Sequence, residues 1–154
     1  MANLTQRILI GLAFAGLLGI FVVGVLVGSA VIGWKAALRA GNEAATMQDL
    51  KTIAAVEIQY YNTHHRTFGT FDQMVSEKML GAKFSGASPP IADGYVFTLN
   101  VIPGTASNPA AYRLNADPRD ERSGRDHFYI DALSGDIHIN ADQSAGANDP
   151  PLNK

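Results

Sequence analysis

One uncharged stretch near the start of the chain, residues 8–34, decides its organisation: it reads ILIGLAFAGLLGIFVVGVLVGSAVIGW. As an α-helix, its 27 residues would extend about 40 Å, more than the roughly 30 Å hydrocarbon core of a bilayer. The alternative is a cleaved secretory signal, whose apolar core is shorter, about 7–15 residues. The length therefore favours a retained transmembrane helix over residues 8–34, preceded by a short N-terminus over residues 1–7.

Small residues inside this stretch indicate a contact surface for other helices. Gly24 and Gly28 are four residues apart, as are Ser29 and Gly33. Such spacing lets two membrane helices approach closely, although glycine is also common in membrane helices without this role. We therefore expect partners in the membrane: lipid, other membrane proteins, or identical chains if the protein forms a filament.

The end of the stretch has the composition of a membrane interface. Trp34 and Lys35 are an aromatic and a basic residue of the kind that anchors a helix end at the headgroups. Basic residues lie on both sides, with Arg7 before the stretch and Lys35 and Arg39 after it. Because of this symmetry, the positive-inside rule gives no orientation.

The rest of the chain, residues 35–154, has the size of one small domain. Its 14 acidic residues outnumber its 11 basic residues (the 12 of the chain less Arg7), which argues against a nucleic-acid partner. The absence of cysteine excludes disulfides, thiolate zinc sites, iron–sulfur clusters and thioether-linked haem. No phosphate-binding loop, Gly-x-Ser-x-Gly or His-Glu-x-x-His motif is present. We therefore expect neither an enzyme nor a cofactor.

Helical periodicity continues beyond the apolar stretch, over residues 35–63. The predicted apolar face consists of Met47, Leu50, Ile53, Ala54, Ile58 and Tyr61. The predicted solvent face consists of Asn42, Glu43, Gln48, Asp49, Lys51, Gln59 and Asn62. We predict one long helix from about Leu4 to Thr63, apolar all round in its first half and amphipathic in its second.

A globular α+β region is predicted over residues 64–140. A second helix begins after Thr70, whose capping box is completed by Gln73, and ends at Gly81. Four antiparallel strands are predicted at residues 95–102, 111–116, 127–131 and 136–139. In the last hairpin, Phe128 is expected opposite Ile139, with His127, Tyr129, Asp131, Asp136 and His138 on the outer face. Residues 141–154 are small and polar and are predicted to be disordered.

Three segments resemble type IV pilins and type II secretion pseudopilins. They are GNEAA at residues 41–45 with LKTI at 50–53, TFGTFDQMV at 67–75, and RDHFYIDALSGDI at 125–137. The resemblance implies a pilin-like fold, a long N-terminal helix packed on a four-stranded antiparallel sheet. It also implies a structural role, with the N-terminus, residues 1–7, in the cytoplasm, the helix crossing the bacterial inner membrane once and the domain in the periplasm.

The chain departs from the pilin pattern at its N-terminus. Pilins carry a peptidase motif and a glutamate in the membrane helix, whereas the first acidic residue here is Glu43. This departure supports an alternative interpretation, an accessory subunit that stabilises a multi-subunit inner-membrane complex, for example respiratory or photosynthetic, through its transmembrane helix.

One loop is a candidate calcium site, because the resemblance implies that calcium binds in this region of some pseudopilins. Its oxygen ligands would be Asp117, Asp120, Glu121 and Asp126. Arg119, Arg122 and Arg125 alternate with these acids, which favours surface ion pairs over a metal site. No metal is expected at the histidines. His64 and His65 are adjacent at a helix end, so their side chains diverge by about 100°. The pair His127 and His138 lacks the third ligand that zinc usually needs.

Overall fold

The computed structural model describes the backbone of residues 4–152 and the side chains of residues 33–152. It divides into two compact units, Met1–Ala37 and Leu38–Lys154. In chain order, the elements are α1 (Leu4–Thr63), α2 (Phe71–Ser76), a 3₁₀ turn (Ala82–Phe84), β1 (Ile91–Ala92), β2 (Tyr95–Ile102), β3 (Ala111–Pro118), β4 (His127–Asp131) and β5 (His138–Asn140). The predicted α+β class with one long N-terminal helix is confirmed.

The predicted transmembrane span lies almost wholly outside the side chains that the structure describes. Within residues 8–34, solvent exposure is described only for Gly33 and Trp34, and both are exposed. In the described part of the chain, no helix is long and apolar enough to cross a membrane.

The buried face of α1 in the second unit differs from the predicted stripe. Leu50 and Ile53 are fully buried as expected, but Ile58 is 58 % exposed. Asp49, predicted on the solvent face, is instead buried together with Thr46 and Glu57. The larger set that shares this face is Thr46, Asp49, Leu50, Ile53, Glu57 and Tyr60. The helix therefore presents a mixed polar and apolar face to the domain.

The sheet is an antiparallel meander of five strands in the order β1-β2-β3-β4-β5, one strand more than predicted. The additional strand, β1, directly follows Pro89 and Pro90, in a segment where no strand was predicted. It pairs Ile91 with Val96 and Ala92 with Tyr95. The turn between them is Asp93-Gly94, and both residues have positive φ, 51° and 79°. Asp-Gly is the usual sequence of such a two-residue hairpin turn, so the signal for β1 was present.

The last hairpin has the predicted register but a shorter final strand. Phe128 lies opposite Ile139, and Tyr129 lies opposite His138. Phe128, Ile130 and Ile137 point into the core with Leu50 and Ile53 of α1. The predicted packing of the helix on the apolar face of the sheet is thus present within the second unit.

The second helix has the predicted start and an earlier end. The Thr70 side chain accepts from the Gln73 amide, and the Gln73 side chain accepts from the Thr70 amide, which completes the capping box. The helix ends at Ser76 instead of Gly81 because Lys78 has a left-handed backbone, φ 59°. The amides of Met79 and Leu80 then both bond to the Met74 carbonyl and close the end.

The predicted disorder of residues 141–154 is not what the structure has over residues 141–152. This C-terminal segment runs across the outer face of the sheet and buries Ala145 to 4 % exposure. Its end extends the sheet, since the Ile139 amide donates to Pro150 and the Leu152 amide donates to Ile137. Composition did not reveal this, because many of the segment's contacts are hydrogen bonds to residues elsewhere in the chain.

Candidate functional site

The loop between β3 and β4 forms one wall of a charged groove of about 510 Å³. Arg39 of α1 and the start of the C-terminal segment also line it. The groove is lined by Arg39, Pro118, Asp120, Glu121, Gly124, Arg125, His127, Ala141 and Asp142. It therefore combines positive and negative side chains from three parts of the sequence.

Hydrogen bonds to α1 fix the loop in place. Asn42 donates its side-chain amide to the Ser123 carbonyl at 2.8 Å, and Glu43 accepts the Arg125 amide at 2.9 Å. These bonds join residues 81 and 82 positions apart in the chain. The two helix residues thus set the position of the groove wall.

Gly124 is required where the loop passes over Tyr95. A Cβ atom at this glycine would lie only 2.0 Å from the Tyr95 hydroxyl oxygen. Tyr95 is fully buried, and its hydroxyl donates to the Asp126 carbonyl at 2.9 Å. The buried tyrosine therefore supports the loop from below, and only glycine leaves room for it.

Two of the four candidate calcium ligands, Asp117 and Asp120, have partners of their own. Asp117 contacts His127 at 2.6 Å and accepts a hydrogen bond from Ser144. Asp120 caps its own turn, and the Arg122 amide that it accepts lowers the pKa of the Asp120 carboxyl. Burial raises the pKa of Asp126. Among the described residues, no three acidic, histidine or cysteine side chains come together as a metal site.

The interleaved arginines do not form the ion pairs that the sequence favoured. Within the described chain, the ion pairs are His64–Glu77, Lys83–Asp49, Lys83–Asp93 and His127–Asp117. None of them includes Arg119, Arg122 or Arg125. Arg39 also has no ion pair there, and its Nε atom is buried without a hydrogen-bond partner. Arg39 and Arg125 thus line the groove without an ion pair to any described residue.

The other predicted site residues lie apart from the groove. Gly24, Gly28 and Ser29 are outside the described side chains. Gly33 and Lys35 are exposed, and Trp34 is 72 % exposed. The histidines are not brought together either, since His127 contacts Asp117 whereas His138 contacts the Asp149 carbonyl at 2.6 Å.

Two polar residues that sequence reasoning did not select have unusual surroundings. Arg39 is the first, because its neighbours come from loops far along the chain. The second is Glu57, which is fully buried on α1 and accepts the Gly69 amide at 2.9 Å through Oε2 only. Its Oε1 has no partner in the described structure, and burial raises the pKa of Glu57 to about 7. No sequence pattern around either residue marks it.

A comparison with known protein families, curated proteins and solved structures finds no match to this chain. The site must therefore be interpreted from its own chemistry. Carboxylates and guanidinium groups dominate the groove, and its imidazole is already engaged by Asp117. Such an arrangement is suited to holding a charged group by ion pairs and hydrogen bonds.

Proposed function

We propose that this protein is a single-pass, membrane-anchored structural protein that displays a pilin-like domain on the periplasmic side of a bacterial inner membrane. The observation that carries this proposal is the single helix α1, Leu4–Thr63. Its first half has the apolar sequence of a membrane span, and its second half supplies Leu50 and Ile53 to the domain core. In this proposal it is a divergent pilin or pseudopilin that serves assembly.

The packing of α1 into the domain core supports a structural role. Because α1 contributes buried residues to the domain, the domain cannot separate from the helix without losing part of its own core. The same helix therefore contains both the proposed span and residues of the domain core. This property suits a scaffold or assembly subunit more than a tethered enzyme, whose linker needs no such packing.

One observation favours a second candidate, an accessory subunit of a multi-subunit membrane complex. No acidic residue precedes Glu43, so the proposed span lacks the glutamate that helps pilins to assemble. A charged side chain in lipid is costly and is retained for function, so its absence is informative. The small residues Gly24 and Gly28 would then contact a different protein.

Mild detergent extraction of native membranes, followed by a native gel and mass spectrometry, tests these proposals. Homopolymers, or a chain that begins inside the apolar stretch, support the pilin function. A band with unrelated membrane proteins and an intact Met1 or Ala2 supports the accessory subunit. Recovery of the chain in the soluble fraction, without detergent, contradicts both.

The double variant Gly24→Leu/Gly28→Leu then tests the proposed helix contact. Leucine at both positions blocks close helix approach, so we expect the partner to be lost on copurification. The matched control is Gly11→Leu, which lies about 140° around an ideal helix from Gly24 and adds the same side chain. Equal recovery of the partner with both variants would exclude this face.

A further inference from the structure

We propose that the groove beside Arg39 binds the zwitterionic headgroup of a phospholipid, a phosphate diester that carries a primary ammonium, as in phosphatidylethanolamine. The proposal rests on the membrane anchoring proposed above, because an anchored chain meets such headgroups at high local concentration. It adds a specific ligand class to a site that the fold alone leaves unassigned.

The balance of charge in the groove selects a zwitterion. Two arginines, Arg39 and Arg125, line it together with three carboxylates, those of Asp120, Glu121 and Asp142. A purely anionic ligand would be repelled by the carboxylates, and a purely cationic one by the arginines. A ligand with a phosphate and an ammonium can place each charge beside side chains of opposite sign.

Charged groups of the groove are available to form hydrogen bonds with a ligand. In the part of the chain that the structure describes, Arg39 Nε is buried without a partner, although a buried donor normally has one. A guanidinium binds phosphate oxygens through two parallel N–H donors, so a phosphate would satisfy this atom. The carboxylates of Glu121 and Asp142, which also line the groove, are exposed and available to accept from an ammonium.

Size and sequence position also fit a headgroup. The groove volume of about 510 Å³ lies inside the range of small-molecule sites, roughly 300–1,000 Å³. Arg39 follows Trp34 by only five residues, so the chain keeps their Cα atoms within about 18 Å whatever its conformation. The short connection therefore allows Arg39 to reach headgroups at the end of the proposed span.

Native mass spectrometry of the full-length chain in mild detergent tests the proposal, with phosphatidylethanolamine, phosphatidylglycerol and phosphatidylcholine offered in equal amounts. We expect phosphatidylethanolamine to be retained most. Phosphatidylglycerol lacks the ammonium, and the quaternary ammonium of phosphatidylcholine cannot donate hydrogen bonds. Arg39→Gln should reduce this retention about tenfold, the usual effect of losing one charged hydrogen bond. The matched control, Arg119→Gln, changes an exposed arginine of the loop between β3 and β4 that does not line the groove.

The variant Glu121→Gln tests the choice of a zwitterion. Removing one carboxylate should shift the preference from phosphatidylethanolamine towards phosphatidylglycerol. Displacement of the lipid by soluble glycerophosphoethanolamine would support binding through the headgroup, whereas lipid adducts that resist it would assign retention to the acyl chains and overturn the proposal. Equal retention by Arg39→Gln and Arg119→Gln would also overturn it.

Carbonate extraction of membranes separates this inference from the proposed function. A chain that washes off the membrane contradicts the anchoring and the headgroup site with it. A chain that stays in the membrane pellet but retains the three lipids equally contradicts the headgroup site alone.

Discussion

The two faces of the sheet are both covered, but by different kinds of contact. On the face towards α1, Phe97, Leu114 and Phe128 are almost fully buried against Leu50 and Ile53. On the opposite face, a row of three residues in register, Asn115, Tyr129 and His138, lies under the C-terminal segment. There the contacts are polar, for example Asn115 to the Ala145 carbonyl at 2.7 Å and His138 to the Asp149 carbonyl at 2.6 Å.

This difference indicates that burial alone does not determine how stable the contact on each face is. Apolar burial contributes about 25 cal/mol per Å² and is lost only when the core opens. A hydrogen bond contributes only about 0.5–1.5 kcal/mol net, because water replaces it on opening. We therefore expect the helix-side face to set the global stability and the C-terminal segment to open locally.

The largest effect is expected from Leu50→Ala, which breaks the apolar side of the comparison. Leu50 is fully buried, so its truncation should cost about 2–5 kcal/mol through lost transfer energy and a cavity. Thermal unfolding followed by near-ultraviolet circular dichroism measures the change. Ile58→Ala is the control on the same helix, since Ile58 is 58 % exposed and should shift Tm little. Similar shifts for both would contradict the assigned helix face.

The next effect concerns Glu57, the one carboxylate that is fully buried on the apolar side. Its pKa is about 7 in the folded state against an ordinary value of 4.5, because burial disfavours the charged form. The folded state therefore holds its proton more tightly than the unfolded state does. Protonation of Glu57 therefore contributes to the free energy of unfolding. This stabilisation is fully present below pH 4.5 and is lost as the pH rises to 7.

Glu57→Gln should remove this pH dependence. The neutral amide can still accept from the Gly69 amide, so stability should rise at pH 8 by up to roughly 3 kcal/mol and change little at pH 4. Unfolding measured from pH 4 to 8 gives the comparison. Asp136→Asn, at an exposed acid, should follow the profile of the unchanged chain. A variant that is less stable at pH 8 would show that Glu57 is held charged.

Local sequence patterns were enough for most of the fold. The end of α1 at Thr63, the Thr70 capping box and the pairing of Phe128 with Ile139 all follow from signals within a few residues. Strand β1, which was not predicted, also had a local signal in Asp93-Gly94. The nearby Pro89 and Pro90 outweighed this signal. Where a feature is encoded by neighbours along the chain, the sequence was therefore sufficient.

The remaining features depend on residues distant in sequence. Asp49 can be buried because Lys83, 34 positions away, bonds both carboxylate oxygens at 2.7 Å. Glu57 is buried beneath the Gly69 amide, and the groove joins Arg39 to a loop about 80 positions later. Periodicity assigns polar residues to solvent unless a partner is known. Such partners become visible only when the chain is folded.

A smaller effect is expected from Asp149→Ala, which breaks the polar side of the comparison. The Asp149 carboxylate accepts from the Asn140 side chain at 2.9 Å and from the Gly146 amide at 2.8 Å. Losing both should cost about 1–2 kcal/mol within the segment and leave the core intact. Hydrogen exchange should therefore speed up about 5- to 30-fold at the Leu152 and Ile139 amides while Tm changes little. The control Asp142→Ala removes an exposed carboxylate of the same segment, and equal acceleration would contradict this assignment.

The smallest effect is expected from Leu152→Ala, which sharpens the comparison. Leu152 is the only large apolar side chain of the described C-terminal segment, and it is only partly buried against the core. Its amide bond to the Ile137 carbonyl, 2.7 Å, does not need the side chain. If hydrogen bonds hold the segment, Leu152→Ala should accelerate exchange at the Ile139 amide less than Asp149→Ala does. Faster exchange in Leu152→Ala than in Asp149→Ala would mean that the Leu152 side chain holds the segment. Apolar contacts would then stabilise both faces of the sheet.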